Sequence, residues 1–256
     1  VVRQDLSERA RPVLFINKVD RLINELRLTP EGMQARFIKL ITKFNELIRR
    51  YAPPDVAQKW MINVEQGSVA FGSAKEKWAL SIPQMKKKNI SFKDIIEAYR
   101  TGTQAELAKK SPIYEVVLDM VIRHLPNPRE AQAVRIPVIW KGDLESELGR
   151  DMLTANPDGK ICMVITDIIV DDQAGVISTG RIFSGTIEKG KSVRLVGAGK
   201  EARIQQVNVY MGPDRVVIDK VPAGNIGAII GLKDAVVGET LVEAGVEGKG
   251  FEELRY

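Results

Sequence analysis

Residues 12–20 read PVLFINKVD, and the first half of the molecule is decided there. Residues 12–16 are continuously apolar, the mark of a strand buried on both faces. A polar loop, Asn17-Lys18-Val19-Asp20, follows at once. Strand ends in open α/β sheets are where nucleotides bind. The residue types suit guanine, whose edge offers two donors, N1–H and the exocyclic amine. One carboxylate at a fixed loop position accepts both, for about 1–3 kcal/mol of discrimination. Asp20 takes that role. Asn17 donates to N7 while its other polar group braces the neighbouring loop. Lys18 lays its methylene stem across the base, and Val19 points back into the core. The motif is short, so its position after an apolar strand carries the weight.

Working outward, Thr29 caps a helix with Pro30 at its first position. Met33, Phe37, Leu40, Ile41, Phe44, Leu47, Ile48 and Tyr51 recur at three and four and predict one broad apolar stripe. Ala52-Pro53-Pro54-Asp55 stops it. Residues 68–72 (SVAFG) predict the next strand, and Ser73-Ala74-Lys75 follows. A small residue at 74 lets a backbone N–H approach the guanine O6, while Ser73 bonds within its own loop and holds Asp20 in place. These three residues say little alone and become informative beside the first loop. Residues 81–111 are lysine-rich and weakly periodic, with a short helix around Phe92 to Tyr99, and read as a surface insertion rather than core. Ser111 and Pro112 start a further helix, which Pro126 and Pro128 end.

From about residue 130 the pattern changes. Apolar runs at 134–140, 161–170, 176–187, 192–196, 202–211, 215–221 and 226–232 alternate with glycine-rich turns, predicting a β-barrel or sandwich. Within it, residues 185–192 (GTIEKGKS) match the phosphate-loop pattern letter for letter. That mechanism needs a strand before the loop and a helix after it, so that backbone amides face the phosphates. Here Val193-Arg194-Leu195-Val196 continues as β, so the segment is read as a hairpin in which IFSGTI pairs with SVRLV.

The segments NKVDRLINELRLTPEGMQARF, VEQGSVAFGSAKEKWAL, GRIFSGTIEKG and GETL resemble those of the archaeal and eukaryotic elongation factor 2 family, the ribosomal translocase GTPases. The resemblance runs over essentially the whole chain. It implies an α/β partial G domain of the phosphate-loop NTPase type, lacking its phosphate loop, over 1–129 with the insertion around 81–111. An all-β translation-factor barrel follows over 130–245 and rests on ribosomal RNA, and 246–256 (ending GFEELRY) leads toward a third domain. It implies that Asn17, Lys18 and Asp20 bind guanine and that Ser73 and Ala74 complete the base pocket, with GTP or GDP as ligand. The Mg²⁺ ligands, the switch threonine and the water-positioning histidine of such a factor are expected upstream of Asn17. The parent is then a GTPase and this piece alone is expected to be inactive, with no catalytic residue of its own.

The remaining features are bland. A net charge of +5 favours acidic partners such as RNA only mildly. The lone Cys162 excludes an internal disulfide scaffold and suits a reducing cytoplasm. Neither a secretory leader nor the roughly 18-residue apolar run of a membrane span is evident. Both ends look arbitrary, as in a piece of a longer chain. His124 reads as a helix-end residue, and Glu145 and Glu147 as solvated carboxylates on a loop. Trp60, Trp78 and Trp140 read as packing residues, and no metal-ligand cluster is evident. A monomer that meets the ribosome is expected. The competing readings are a non-enzymatic ribosome- or RNA-binding module and a related release or initiation factor.

Overall fold

The computed structural model describes residues 2–7, 9–173 and 175–251. The chain divides into two compact units, residues 1–125 and 126–256.

The first unit contains α1 (Val2–Ser7), β1 (Leu14–Ile16), α2 (Val19–Asn24), α3 (Pro30–Tyr51) and α4 (Pro54–Trp60). It continues with β2 (Val69–Ser73), β3 (Trp78–Ser81), α5 (Ile82–Lys88), α6 (Phe92–Thr101), α7 (Gln104–Lys110) and α8 (Ile113–His124). β1 runs parallel to β2, and β3 returns antiparallel on the far side of β2. The central strand β2 is buried at every residue, whereas Leu14, Phe15 and Ile16 are only partly buried. The sequence predicted burial on both faces of β1. A strand partnered on one side only leaves part of its surface open.

The two faces of this small sheet bury different side chains. Ala70 and Ala79 are small and lie against Val116 and Met120 of α8. Phe71 and Leu80 point the other way, to Met33 and Phe37 of α3 and to Ile95 of α6. α3 forms because Thr29 Oγ1 accepts the Gly32 N–H at 3.2 Å and Pro30 fits the first turn. Its stripe is narrower than its spacing suggests. Met33, Phe37 and Ile48 are buried, while Leu40 and Leu47 are exposed.

The lysine-rich segment corrects the sequence reading more sharply. Ser91 and Asp94 form a reciprocal capping box that starts α6. Ile90, Ile95 and Leu107 are buried in the same core as Phe71 and Trp78, and the Phe92 ring stacks on Phe71 with centroids 5.2 Å apart. Most of the lysines, with Asp94, Glu97, Arg100 and Glu106, face water. The segment is core on one side and surface on the other.

The second unit opens with helices, not strands. Residues 134–140 were expected to be β, yet α9 (Pro128–Ile139) covers nearly all of them. Asn127 Oδ1 accepts the Glu130 N–H at 3.0 Å, and the Glu130 carboxylate accepts the Asn127 N–H at 3.3 Å. Pro128 therefore starts a helix here, whereas its sequence role was to end the one before. Ser146 likewise caps α10 (Glu147–Thr154), so the stretch around Glu145 and Glu147 is a helix start rather than a loop.

Ten strands follow: β4 (Cys162–Asp171), β5 (Gly175–Ser184), β6 (Thr186–Glu188), β7 (Ser192–Leu195), β8 (Lys200–Arg203), β9 (Gln206–Met211), β10 (Asp214–Ile218), β11 (Lys220–Pro222), β12 (Ile226–Ile230) and β13 (Thr240–Glu243). Eight of them form one sheet in the order β10-β9-β12-β5-β4-β13-β7-β8, while β11 pairs with β6. β8 lies at one end of this order and β9 near the other, although only Ile204 and Gln205 separate them in sequence. The sheet must curl for both placements to hold, and Met163, Val193, Val207 and Ile229 share one interior. The GTIEKGKS segment is therefore β, with no helix after it. Its expected pairing is wrong all the same. β6 pairs with β11, and β7 pairs with β8 and β13. Past β13, the Lys249 carbonyl accepts the Trp140 indole N–H at 2.7 Å and Phe251 stacks on Phe183. Residues 246–251 are thus packed, and 252–256 of the expected linker lie outside the described residues.

Candidate functional site

Because β1 and β2 are parallel, with Ile16 opposite Phe71, the loops that follow them leave the same end of the sheet. The first loop is tight. Lys18 sits in the left-handed region at φ 64°, ψ 34°, immediately before α2. For a residue with a Cβ that conformation costs about 1–2 kcal/mol. Asn17 offsets it, since its Oδ1 accepts the Lys18 N–H at 2.7 Å. The turn drives Val19 into the core, where it is fully buried, and places Asp20 in the first turn of α2. Asp20 is nine-tenths buried, while Asn17 and Lys18 are exposed.

The second loop is shaped by close strand approach. A Cβ on Gly72 would lie 2.2 Å from the Trp78 carbonyl oxygen, so only glycine lets β2 and β3 pair there. Ser73 is inaccessible, and its Oγ accepts the Glu76 N–H at 3.2 Å. Lys77, at φ 62°, turns the chain back into β3. Ala74 is exposed, and its N–H donates to Asn17 Oδ1 at 3.0 Å.

One carboxamide oxygen thus holds both loops, accepting from Lys18 and from Ala74. Asn17 is exposed, which leaves its amide nitrogen open to solvent as a donor. Of the five residues expected to form a base pocket, Asn17 and Ala74 meet directly and Ser73 lies in the same turn. Lys18 lies on the open side of the first loop. Among the described residues no hydrogen bond links Asp20 and Ser73, whose hydroxyl accepts from Glu76 within its own turn. The Ala74 N–H, expected to reach for O6, is engaged by Asn17.

Behind the second loop lies a set of residues that the sequence reading left out. Trp78 is fully buried, and its indole N–H donates to the Tyr99 hydroxyl at 2.9 Å. That hydroxyl in turn donates to the Glu76 carboxylate. Burial first, and then the bond to Glu76, push the Tyr99 hydroxyl well above the ordinary phenol range. The charge of Asp20 adds least to this rise. Tyr99 lies on α6, far from both loops in sequence. The available signal was the capping box at Ser91 followed by Phe92, Ile95, Ile96 and Tyr99 at helical spacing.

Asn17 and the Ala74 turn thus form one linked, exposed corner at the end of the parallel strand pair, with Asp20 in the first turn of α2. Among the described residues no group of three or more His, Cys, Asp or Glu side chains could hold a metal ion. His124 closes α8 and is buried, with its Nε2 lacking a partner. No helix of the described residues is long and apolar enough to cross a membrane.

Residues 175–242, from β5 to β13, match the family described as elongation factor Tu domain 2. Over 256 residues the chain is 56% identical to the elongation factor 2 of Thermococcus sibiricus, covering 100% of this chain and 35% of that protein. It is 54% identical over 260 residues to the elongation factor 2 of Aeropyrum pernix, again 100% of this chain and 35% of that protein. The elongation factor 2 of Methanocaldococcus jannaschii is 58% identical over 241 residues, which are 94% of this chain and 33% of the relative. The chain spans about a third of the length of the curated relatives it matches.

Proposed function

The chain is related over its whole length to elongation factor 2, and we propose that it supplies the base-recognition part of that factor's guanine-nucleotide site together with the barrel that follows it. The observation that carries this reading is the hydrogen bond from Ala74 N–H to Asn17 Oδ1. It joins two loops at one end of a parallel strand pair, beside a carboxylate at position 20. In the bound state Asp20 accepts the two donors of guanine, the Asn17 amide nitrogen donates to N7, and the Lys18 stem covers the ring. Ala74 N–H turns to O6, and Ser73 holds the turn that carries it. GTP and GDP are the ligands on this reading.

Phosphoryl transfer needs phosphate-cradling amides and a metal to stabilise the transferred charge. We assign those parts, Mg²⁺ ligands included, to the portion of the relatives that this chain does not span. The intact factor hydrolyses GTP to drive movement of the ribosome, and this stretch by itself does not. The barrel is its docking surface on ribosomal RNA and protein. The factor works as a monomer in the cytoplasm. Kinship to elongation factor 2 does not favour the alternatives of a non-enzymatic RNA-binding module or of a release or initiation factor.

The test is Asp20→Asn in the intact factor. Asparagine presents a donor and an acceptor where aspartate presents two acceptors, a match for xanthine rather than guanine. Affinity should move from GDP to xanthosine diphosphate by about 1–3 kcal/mol at each base. An unchanged preference would show that Asp20 does not read the base.

A further inference from the structure

We propose that Tyr99 is a positioning residue for base recognition, acting on the Ser73–Lys77 turn through the Glu76 carboxylate. The inference rests on the reading of Asn17, Asp20 and Ala74 given above and adds a residue from a different part of the chain.

Trp78 sets the first constraint. Its side chain is fully buried, and a buried indole N–H left without an acceptor is costly. The Tyr99 oxygen supplies the acceptor at 2.9 Å, so the phenol hydrogen must point elsewhere. It goes to the Glu76 carboxylate, and a charged acceptor makes this the stronger of the two bonds. Glu76 is therefore gripped twice. Its side chain is held by α6, and its N–H is held by the Ser73 Oγ at 3.2 Å.

The rest of the turn is held by backbone hydrogen bonds: Lys77 N–H reaches the Ala74 carbonyl at 3.3 Å, the Lys77 carbonyl accepts the Ile113 N–H at 3.0 Å, and Ala74 N–H reaches Asn17. Ala74, Lys75 and Lys77 are exposed, so packing adds little. Without the Tyr99 hydroxyl the Glu76 carboxylate loses its anchor. The turn then loosens, and the Ala74 N–H no longer holds the direction that recognition of O6 requires. α6 is thus coupled to the base edge by three hydrogen bonds in series.

The experiment compares nucleotide affinities of the intact factor and its variants. Tyr99→Phe should weaken GDP binding about fivefold, the effect of one typical hydrogen bond. The loss should shrink to less than about twofold for 6-thioguanosine diphosphate, whose sulfur is a poor acceptor for Ala74 N–H. A merely structural tyrosine would lower the melting temperature but penalise both nucleotides alike. Glu76→Ala should reproduce the loss, and Glu76→Gln, which keeps an acceptor, should recover most of it. The double variant Tyr99→Phe/Glu76→Ala should be no weaker than either single change, because both cut the same series. Should Tyr99→Phe fail to fold, the alanine and glutamine variants at 76 carry the comparison. Equal losses for both nucleotides, additive losses in the double variant, or unchanged GDP affinity would overturn the proposal. Asp20→Asn separates the two ideas. A switch to xanthine with unchanged GDP binding in Tyr99→Phe removes only the role of Tyr99. No switch at all removes the base reading itself.

Discussion

Asn17 Oδ1 accepts the Ala74 N–H across 3.0 Å, so a residue that ends one parallel strand fixes the turn that ends its neighbour. The same oxygen accepts the Lys18 N–H at 2.7 Å and so stabilises the left-handed turn at Lys18. Two backbone donors therefore depend on one side chain. Asn17→Ala should lower the stability of the chain by about 1 kcal/mol, because both donors are open to water once freed. Asn17→Asp keeps the acceptor and should cost less. Urea denaturation followed by circular dichroism would order the two variants, and an alanine variant as stable as the parent would show that the link contributes nothing.

Gly72 tests how closely β2 and β3 must approach. An added methyl would lie 2.2 Å from the Trp78 carbonyl oxygen and 2.7 Å from the Ala79 Cα, both backbone atoms that no rotamer change can move. Gly72→Ala should therefore cost about 3 kcal/mol or more. Gly102 provides the contrast. It ends α6 at φ 74° with nothing within 4 Å of its notional Cβ, so alanine there meets only backbone strain, about 1–2 kcal/mol. Thermal unfolding of the two variants should place Gly72→Ala well below Gly102→Ala. The reverse order would mean that the strands can part at Gly72 without loss.

What could be read from sequence was local. The apolar run before Asn17, the Thr29-Pro30 helix start and the strand before Ser73 each depend on neighbours a few residues away, and each is present. α9 was misread because Val134, Ile136 and Val138 alternate with Arg135 and Pro137, which mimics a strand. Only the capping box at Asn127 and Glu130 decides for helix. The pairing of β6 with β11 could not be guessed from adjacency, since β7 is nearer in sequence but takes β13 and β8. Tyr99 was missed for a related reason. Its partner Glu76 lies 23 positions away, and nothing local marks a phenol as the acceptor for a distant indole.

His124 makes stability depend on pH in a definite direction. Burial holds its imidazole below the ordinary value of 6.5; the Gln66 backbone opposes this, the charges of Arg11 and Arg123 add to it, and Asp119 opposes it least. Well above pH 6.5 the ring is neutral whether the chain is folded or not. As pH falls below that value, the unfolded chain takes up a proton that the fold resists, so stability declines until the folded ring titrates as well. Replacing His124 by glutamine should flatten the stability profile between about pH 6.5 and pH 5, above the range where carboxylates dominate. Denaturant midpoints across that interval give the slope. A decline equally steep in the variant would place its origin elsewhere.

Cys162 offers a probe of the second unit. It begins β4, is fully buried, and its thiol is pushed up to about 12 by desolvation alone. Only the thiolate attacks a disulfide reagent, and at pH 8 such a group is ionised on the order of one part in ten thousand. A free thiol at its ordinary value of 9.0 is ionised about a thousandfold more. Burial against Trp140, Met152 and Val242 also denies the reagent access. Labelling of the folded chain should therefore wait on opening of the second unit. Its rate should be slow, rise with urea, and level off at the rate of a denatured thiol. Replacing Met152 by alanine opens space in the same cluster, at a cost of about 2–5 kcal/mol, and should speed labelling well before the unfolding midpoint. Fast labelling of the native chain in the absence of denaturant would mean that β4 is not shielded at its first residue.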